Sequence, residues 1–263
     1  MKILVFIKQV ADTEARILIS SDKKSLEIEN KYNMNFFDEF AVEEAIQIKE
    51  KIEETIINVC SYGPKSAIEA LRTAIAMGAD QAFLLESDDS NNDDPLITAK
   101  SLAAFAKKEG FDLILCGRQA IDDESASIGI MTAEFLNIPH VSSILKLDIA
   151  EDGKALVESE IEDGRETIEV QLPALFTVQK GINEPRVPLI TGVMKAMKAE
   201  IPFIDVSSLM LPNEGIDDGT GGINVQCYES PQSRPSVKII EGSTPEEKVK
   251  NLIMILKEEA KAL

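Results

Sequence analysis

Cys116-Gly-Arg-Gln-Ala-Ile-Asp-Asp-Glu-Ser-Ala-Ser-Ile-Gly129 follows the apolar run Phe111 to Leu115 and leads into a segment of helical pattern. A buried strand, a polar turn and a helix start in direct succession form the unit from which doubly wound α/β sheets are built. The helix start leaves backbone N–H groups unpaired, so the junction is a natural anion site. Ser125 and Ser127 add hydroxyl donors, and Gly117 and Gly129 let a ligand approach the main chain closely. Two readings stand side by side: a phosphate-binding turn, and an ordinary strand-to-helix connection with Ser125 as its cap.

The same unit recurs on the N-terminal side. Lys2-Ile-Leu-Val-Phe-Ile7 is a short, nearly continuous apolar run, the pattern of a strand buried on both faces of a parallel sheet. Thr55 to Cys60, Gln81 to Leu85 and Asp112 to Cys116 repeat it, each behind a segment of helical period. In the first such segment Ala41, Val42, Ala45, Ile46, Ile48 and Ile52 form an apolar stripe opposite Glu43, Glu44, Lys49 and Glu50. The second runs from Lys65 to Met77 and stops at Gly78; the third starts at Pro95 and runs to Lys108, before Gly110. The alternation predicts a doubly wound, mostly parallel α/β sheet with ligands at the carboxyl ends of its strands. The acidic stretch Glu86 to Asp94 reads as a solvated loop.

Beyond Pro139 the pattern turns to β. Ala155 to Ile161 and Thr167 to Leu172 alternate about Glu162-Asp163-Gly164 and predict a hairpin spanning residues 154–172. Pro173 to Gln179 is a further strand, and Asn183-Glu-Pro-Arg186 a turn. Residues 202–235 are rich in Gly, Pro, Asp and Ser and read as a loop-rich arm, with Asp217-Asp-Gly-Thr-Gly-Gly222 as a flexible connection. Ser243-Thr-Pro-Glu-Glu then caps a terminal helix with Val249, Leu252, Ile253 and Leu256 on one face. The expected division is an α/β domain over residues 1–201 and an arm with a helix over 202–263.

Composition closes off several classes. With 27 Lys and Arg against 46 Asp and Glu, the net charge of −19 repels nucleic acid and anionic membranes. No apolar run reaches the roughly 18 residues of a membrane helix, and no leader precedes the first strand, so the expected location is the cytoplasm. Cys60, Cys116 and Cys227 are widely spaced and match no metal or redox motif. The single histidine, His140, is read as structural, and no nucleophile elbow, zinc spacing or Walker loop occurs. No catalytic or metal-ligating residue is therefore assigned.

Six segments, in order, resemble the beta (small) subunit of electron transfer flavoprotein. They are Ile7-Lys-Gln-Val10, Met34-Asn-Phe-Phe-Asp-Glu-Phe-Ala-Val-Glu-Glu-Ala45, Ala74-Ile-Ala-Met-Gly-Ala-Asp80, Gly117-Arg-Gln-Ala-Ile-Asp-Asp123, Asn183-Glu-Pro-Arg186 and Met194-Lys-Ala196. The resemblance implies a fold of the adenine-nucleotide hydrolase-like, Rossmann-like type. It also implies a heterodimer with a larger alpha subunit, with which FAD is shared, and AMP on the beta chain, a second FAD standing there in electron-bifurcating members. Carried over by position, Phe6, Asn35, Phe36, Phe37, Asp38, Tyr62, Gly117, Arg118, Gln119, Ala120, Ile121, Asp122, Asp123, Ser125, Ala126, Ser127, Ile128 and Gly129 should surround the nucleotide. Asp123 and Asp94-Pro-Leu resemble the AMP-binding group. Ala126-Ser-Ile-Gly129 departs from the usual Asn-Gln-Thr-Gly, and Phe36 and Ala11 stand where proline is usual.

The resemblance further implies a partner-recognition segment over residues 186–197, with Ile190 as the exposed aliphatic anchor, Leu189 beside it and Glu160 steering the mobile flavin domain. Its partners would be acyl-CoA or related dehydrogenases and a quinone reductase. Two other classes share the sheet: an ATP-dependent adenylating enzyme, for which Arg118, Asp122 and Asp123 would serve, and a nucleotide-sensing stress protein.

Overall fold

The computed structural model describes residues 1–87, 94–150, 152–209, 223, 225–234 and 236–262. Residues 88–93 of the acidic stretch and Asp217-Asp-Gly-Thr-Gly-Gly222 lie outside them.

β1 (Lys2–Phe6) opens the chain. The short strands β2 (Gln9–Ala11), β3 (Ile17–Ile19), β4 (Leu26–Ile28) and β5 (Tyr32–Met34) follow, and pair antiparallel as β2 with β5 and β3 with β4. Three residues are too few to show an alternating pattern, and this excursion was not legible in the sequence. Then come α1 (Phe36–Lys51), β6 (Ile56–Gly63), α2 (Ile68–Met77), β7 (Gln81–Glu86), α3 (Pro95–Glu109), β8 (Leu113–Gly117) and α4 (Ile128–Leu136). The chain continues through β9 (His140–Ile149), β10 (Lys154–Ile161), β11 (Gly164–Gln171), β12 (Ala174–Val178), α5 (Ile190–Lys198), β13 (Phe203–Asp205) and α6 (Pro245–Glu258).

Among the described residues nine strands form the main sheet, in the order β11-β10-β9-β12-β8-β1-β6-β7-β13. Pairing is parallel from β9 through β12, β8, β1, β6 and β7 to β13. Only β9, β10 and β11 pair antiparallel, which makes the expected hairpin an extension of the sheet's edge. The fold is thus the doubly wound, mostly parallel α/β type. At the opposite edge β13 pairs with β7, so the segment read as a loop-rich arm begins with a strand of the main sheet.

Period-2 alternation assigns the two faces. Ile3 and Val5 point to the side covered by α1 and α2; Leu4 and Phe6 point to the side covered by α3 and α4. The ends of the helices follow their residues. Asp94 caps α3 by accepting the Leu96 N–H at 2.8 Å, with Pro95 in the first turn. Thr244 accepts the Glu247 N–H at 3.2 Å and Glu247 accepts the Ser243 N–H at 2.8 Å, a reciprocal capping box that starts α6. No residue of α6 is buried.

Candidate functional site

At the carboxyl ends of β1, β6 and β8 lies a cavity of about 740 Å³, inside the roughly 300–1,000 Å³ range of small-molecule sites. Phe6, Ile7, Lys8 and Gln9 leave β1 along one wall, and Tyr62 to Ala67 leave β6 along another. The turn after β8 supplies Cys116, Gly117, Arg118, Gln119, Ala120, Asp122 and Asp123, followed by Ser125 to Gly129. Tyr32, Asn35, Asp38, Pro95, Thr98, Leu102 and Ile223 complete the lining.

Asn35 stands at the cap position of α1, yet its side chain makes no cap bond. It turns to the β8–α4 loop instead. Its Nδ2 donates to the Gln119 carbonyl at 2.9 Å and its Oδ1 accepts the Ile121 N–H at 3.1 Å. Asp38, one turn on, accepts the Lys8 N–H at 2.7 Å and the Gly117 N–H at 3.0 Å, tying α1 to the ends of β1 and β8. Burial outweighs these bonds and raises its carboxyl to about 7.

Gly117 has a specific reason to be glycine. A Cβ there would stand 2.7 Å from the Cβ of Phe37 and would also strike Asp38. At Gly129 a Cβ would fall 2.8 Å from both Cys116 Sγ and Thr177 Cγ2, so α4 reaches the sheet only because that side chain is missing.

The loop between these glycines is built by its own polar groups. Asp123 accepts the Ser125 N–H at 2.9 Å, and Glu124 and Ala126 both hold φ of 52°. Lys8 Nζ donates to Asp122 at 2.8 Å and to Asp123 at 3.1 Å. Burial works against the Lys8 charge, but the two carboxylates outweigh it and hold the ammonium above the ordinary lysine value. The Ser125 cap imagined for α4 does not form. Ser127 holds the cap position, its side chain makes no cap bond, and its Oγ donates to Ser125 Oγ at 3.2 Å. The first turn of α4 therefore meets the cavity with no side chain on its N–H groups.

This arrangement offers main-chain donors, serine hydroxyls and the cations Lys65 and Arg118 to an anionic ligand, while Lys8 is held by the two loop carboxylates. It offers no activated nucleophile: burial raises the Cys116 thiol. His140 is exposed at the start of β9. Among the described residues no group of three His, Cys, Asp or Glu is placed to hold a metal ion.

Of the residues expected around a nucleotide, Phe6, Asn35, Asp38, Tyr62, Gly117 to Ala120, Asp122, Asp123 and Ser125 to Gly129 line the cavity. Phe36, Phe37 and Ile121 do not. Phe37 packs over Gly117 with the Arg118 guanidinium 5.8 Å from its ring, Phe36 carries Lys180 Nζ at 5.5 Å, and Ile121 is held through its N–H. The sequence reading missed Lys8, Gln9, Tyr32, Lys65 and Ser66. Lys8 had a signal, a cation directly after the apolar run Ile3 to Ile7.

The remaining candidates lie elsewhere. Leu189 and Ile190 are 74 % and 80 % exposed at the start of α5. The turn before them is anchored on α1: Asn183 Nδ2 donates to Phe40 O and Glu44, and Arg186 grips Glu43 through Nε at 2.8 Å and Nη2 at 3.0 Å. Glu160 is exposed near the hairpin tip and accepts from Gln179 at 3.5 Å.

The fold and cavity define a doubly wound α/β protein with a cavity at the carboxyl edge of its sheet, where such folds take their ligands. Residues 25–209 match the electron transfer flavoprotein domain. Over 265 residues, all of both chains, the protein is 37 % identical to electron transfer flavoprotein subunit beta of Bacillus subtilis. It is 38 % identical to that of Dictyostelium discoideum, over 99 % of this chain and 98 % of the relative, and 37 % identical to that of Bos taurus, over 91 % and 92 %. The chain belongs to the family of electron transfer flavoprotein beta subunits.

Proposed function

We propose that the chain is the beta subunit of a heterodimeric electron carrier. It takes electrons from dehydrogenases, of the acyl-CoA type or related ones, and passes them toward a quinone reductase. It pairs with an alpha subunit, shares an FAD with it and carries AMP in the strand-end cavity. The flavin supplies the electron-accepting chemistry when bound; this chain supplies structure. The observation that carries the reading is the uncapped start of α4 facing the cavity behind Gly117 and Gly129, which fits a phosphate on main-chain N–H groups.

Within that reading Phe6, Tyr62 and the β8–α4 loop enclose the adenosine. Leu189 and Ile190 form the anchor for the dehydrogenase, because exposed aliphatic side chains gain by burial in a partner pocket. Glu160 steers the flavin-bearing domain through an ion pair. The arm and α6, whose Val249, Leu252, Ile253 and Met254 are exposed, cover the alpha subunit. No helix among the described residues is long and apolar enough to cross a membrane. A second FAD in the AMP cavity is the alternative, since both ligands share the adenosine phosphate.

The test is to co-express the chain with its alpha subunit and mix the purified complex with an acyl-CoA dehydrogenase and its substrate. Rapid bleaching of the bound flavin, with transfer to a quinone reductase, is the expected result. A complex without flavin that hydrolyses ATP would return the adenylating-enzyme reading.

A further inference from the structure

We infer that Lys8 is a positioning residue: it clasps the β8–α4 loop into its ligand-ready shape and is not itself the ligand for the phosphate. This rests on the nucleotide reading of the cavity. Lys8 lies just past the end of β1, and Asp38 holds its N–H, so its main chain is pinned at the cavity floor. Its side chain reaches the loop and spans two consecutive carboxylates, at 2.8 Å to Asp122 and 3.1 Å to Asp123.

The loop needs that clasp. Glu124 and Ala126 sit in the left-handed region at φ 52°, a conformation that residues with a Cβ adopt only at a cost. The ties that hold this shape include the Glu124 N–H on the Ala120 carbonyl at 3.0 Å, the Asp123 bond to the Ser125 N–H, the Asn35 bonds to Gln119 and Ile121, and Lys8, which reaches both loop carboxylates. Without Lys8, Asp122 and Asp123 would present two uncompensated charges to each other and to any incoming phosphate. With Lys8 in place the phosphate is left to the N–H groups of α4, with Arg118 and Lys65 the other cations on the wall. Two of the three ammonium protons are already engaged, so giving either of them to a phosphate would break a carboxylate contact that holds the loop.

The clasp is partly exposed, 39 % at Lys8, 38 % at Asp122 and 47 % at Asp123, so its effect is modest. The experiment uses the heterodimer stripped of nucleotide, as wild type, Lys8→Met and Lys8→Arg, titrated calorimetrically with AMP and with adenosine. Adenosine has no phosphate. Lys8→Met should weaken adenosine about two- to fivefold, the scale of a partly exposed ion-pair network, and Lys8→Arg should restore it. In parallel, hydrogen exchange of the nucleotide-free complex should quicken at residues 119–127 in Lys8→Met and return to wild-type rates in Lys8→Arg.

If Lys8→Met weakens AMP while leaving adenosine affinity and loop exchange unchanged, Lys8 is a phosphate ligand and the proposal is overturned. Should Lys8→Met not fold, Asp122→Asn/Asp123→Asn keeps the lysine and must show the same faster exchange; wild-type rates there would overturn it equally. If wild type binds neither AMP nor adenosine, the nucleotide reading fails, while loop exchange still decides the role of Lys8.

Discussion

The carboxylate of Asp38 accepts the backbone N–H of Gly117 at 3.0 Å, joining the first turn of α1 to the last residue of β8 at the cavity floor. The bond requires Gly117 to have no side chain, because Asp38 and Phe37 occupy the space a Cβ would take. Helix, strand and loop are thus fixed to one another at the floor of the cavity.

The buried carboxyl of Asp38 titrates near 7, whereas the unfolded residue titrates at 3.8. Between these values the folded state binds more protons than the unfolded one, so this residue's contribution to stability declines as pH rises from about 4 to about 7 and is flat above. Urea unfolding of wild type and Asp38→Asn should show the gap between them shifting against wild type across that window. A carboxyl carbon resonance titrating near the ordinary value would contradict this.

Gly129→Ala should destabilise the chain by about 1–3 kcal/mol, because its methyl group meets Cys116 Sγ and Thr177 Cγ2, short buried side chains with little room to turn aside. α4 would move off the sheet and carry Ser127 and Ile128 with it. Denaturant midpoints measure the first effect and loss of co-purifying nucleotide the second; a fully stable variant would show that α4 adapts.

Glu43 is 4 % exposed in its side chain and grips Arg186 through two guanidinium nitrogens. Burial opposes its charge, but the bonds from Arg186 prevail and hold its carboxyl below 4.5. The stabilisation is complete above 4.5 and is lost as pH falls through the lowered value. Glu43→Gln should cost about 1–3 kcal/mol, less than a fully buried pair because Arg186 stays in touch with water. Thermal melts above and below that range check the sign: the variant's deficit should shrink in acid.

Leu189→Ser and Ile190→Ser touch nothing that folds the chain, since both side chains are largely exposed. Stability should stay within about 0.5 kcal/mol of wild type. The KM for a dehydrogenase partner should rise at least about tenfold, a loss near 1.4 kcal/mol. Equal loss of stability and docking would place these residues in the core of the subunit.

Much of the fold was legible because fully buried parallel strands need continuous apolar runs, and Lys2 to Ile7 and Asp112 to Cys116 have them. The strands of three residues, β2 to β5 and β13, were not, since a pattern of period 2 needs more length than they offer. At the site, glycines beside a strand end marked the turn. What stayed hidden was connection across the chain. Asn35, expected against the nucleotide, also bonds a loop 84 residues on, and Lys8, to which the sequence assigned no role, clasps Asp122 and Asp123. Arg186 joins Asn183-Glu-Pro-Arg186 to α1, whose own first turn holds the cavity loop and the Lys8 N–H, so four of the family-like segments form one bonded network.

The central claim is that the strand-end cavity holds an adenosine phosphate. The most direct measurement is to purify the heterodimer, denature it and quantify the released nucleotides by chromatography. One FAD and one AMP per heterodimer is the expected result. Two FAD would put the second flavin in this cavity, and release of FAD with no second adenosine phosphate would contradict the claim.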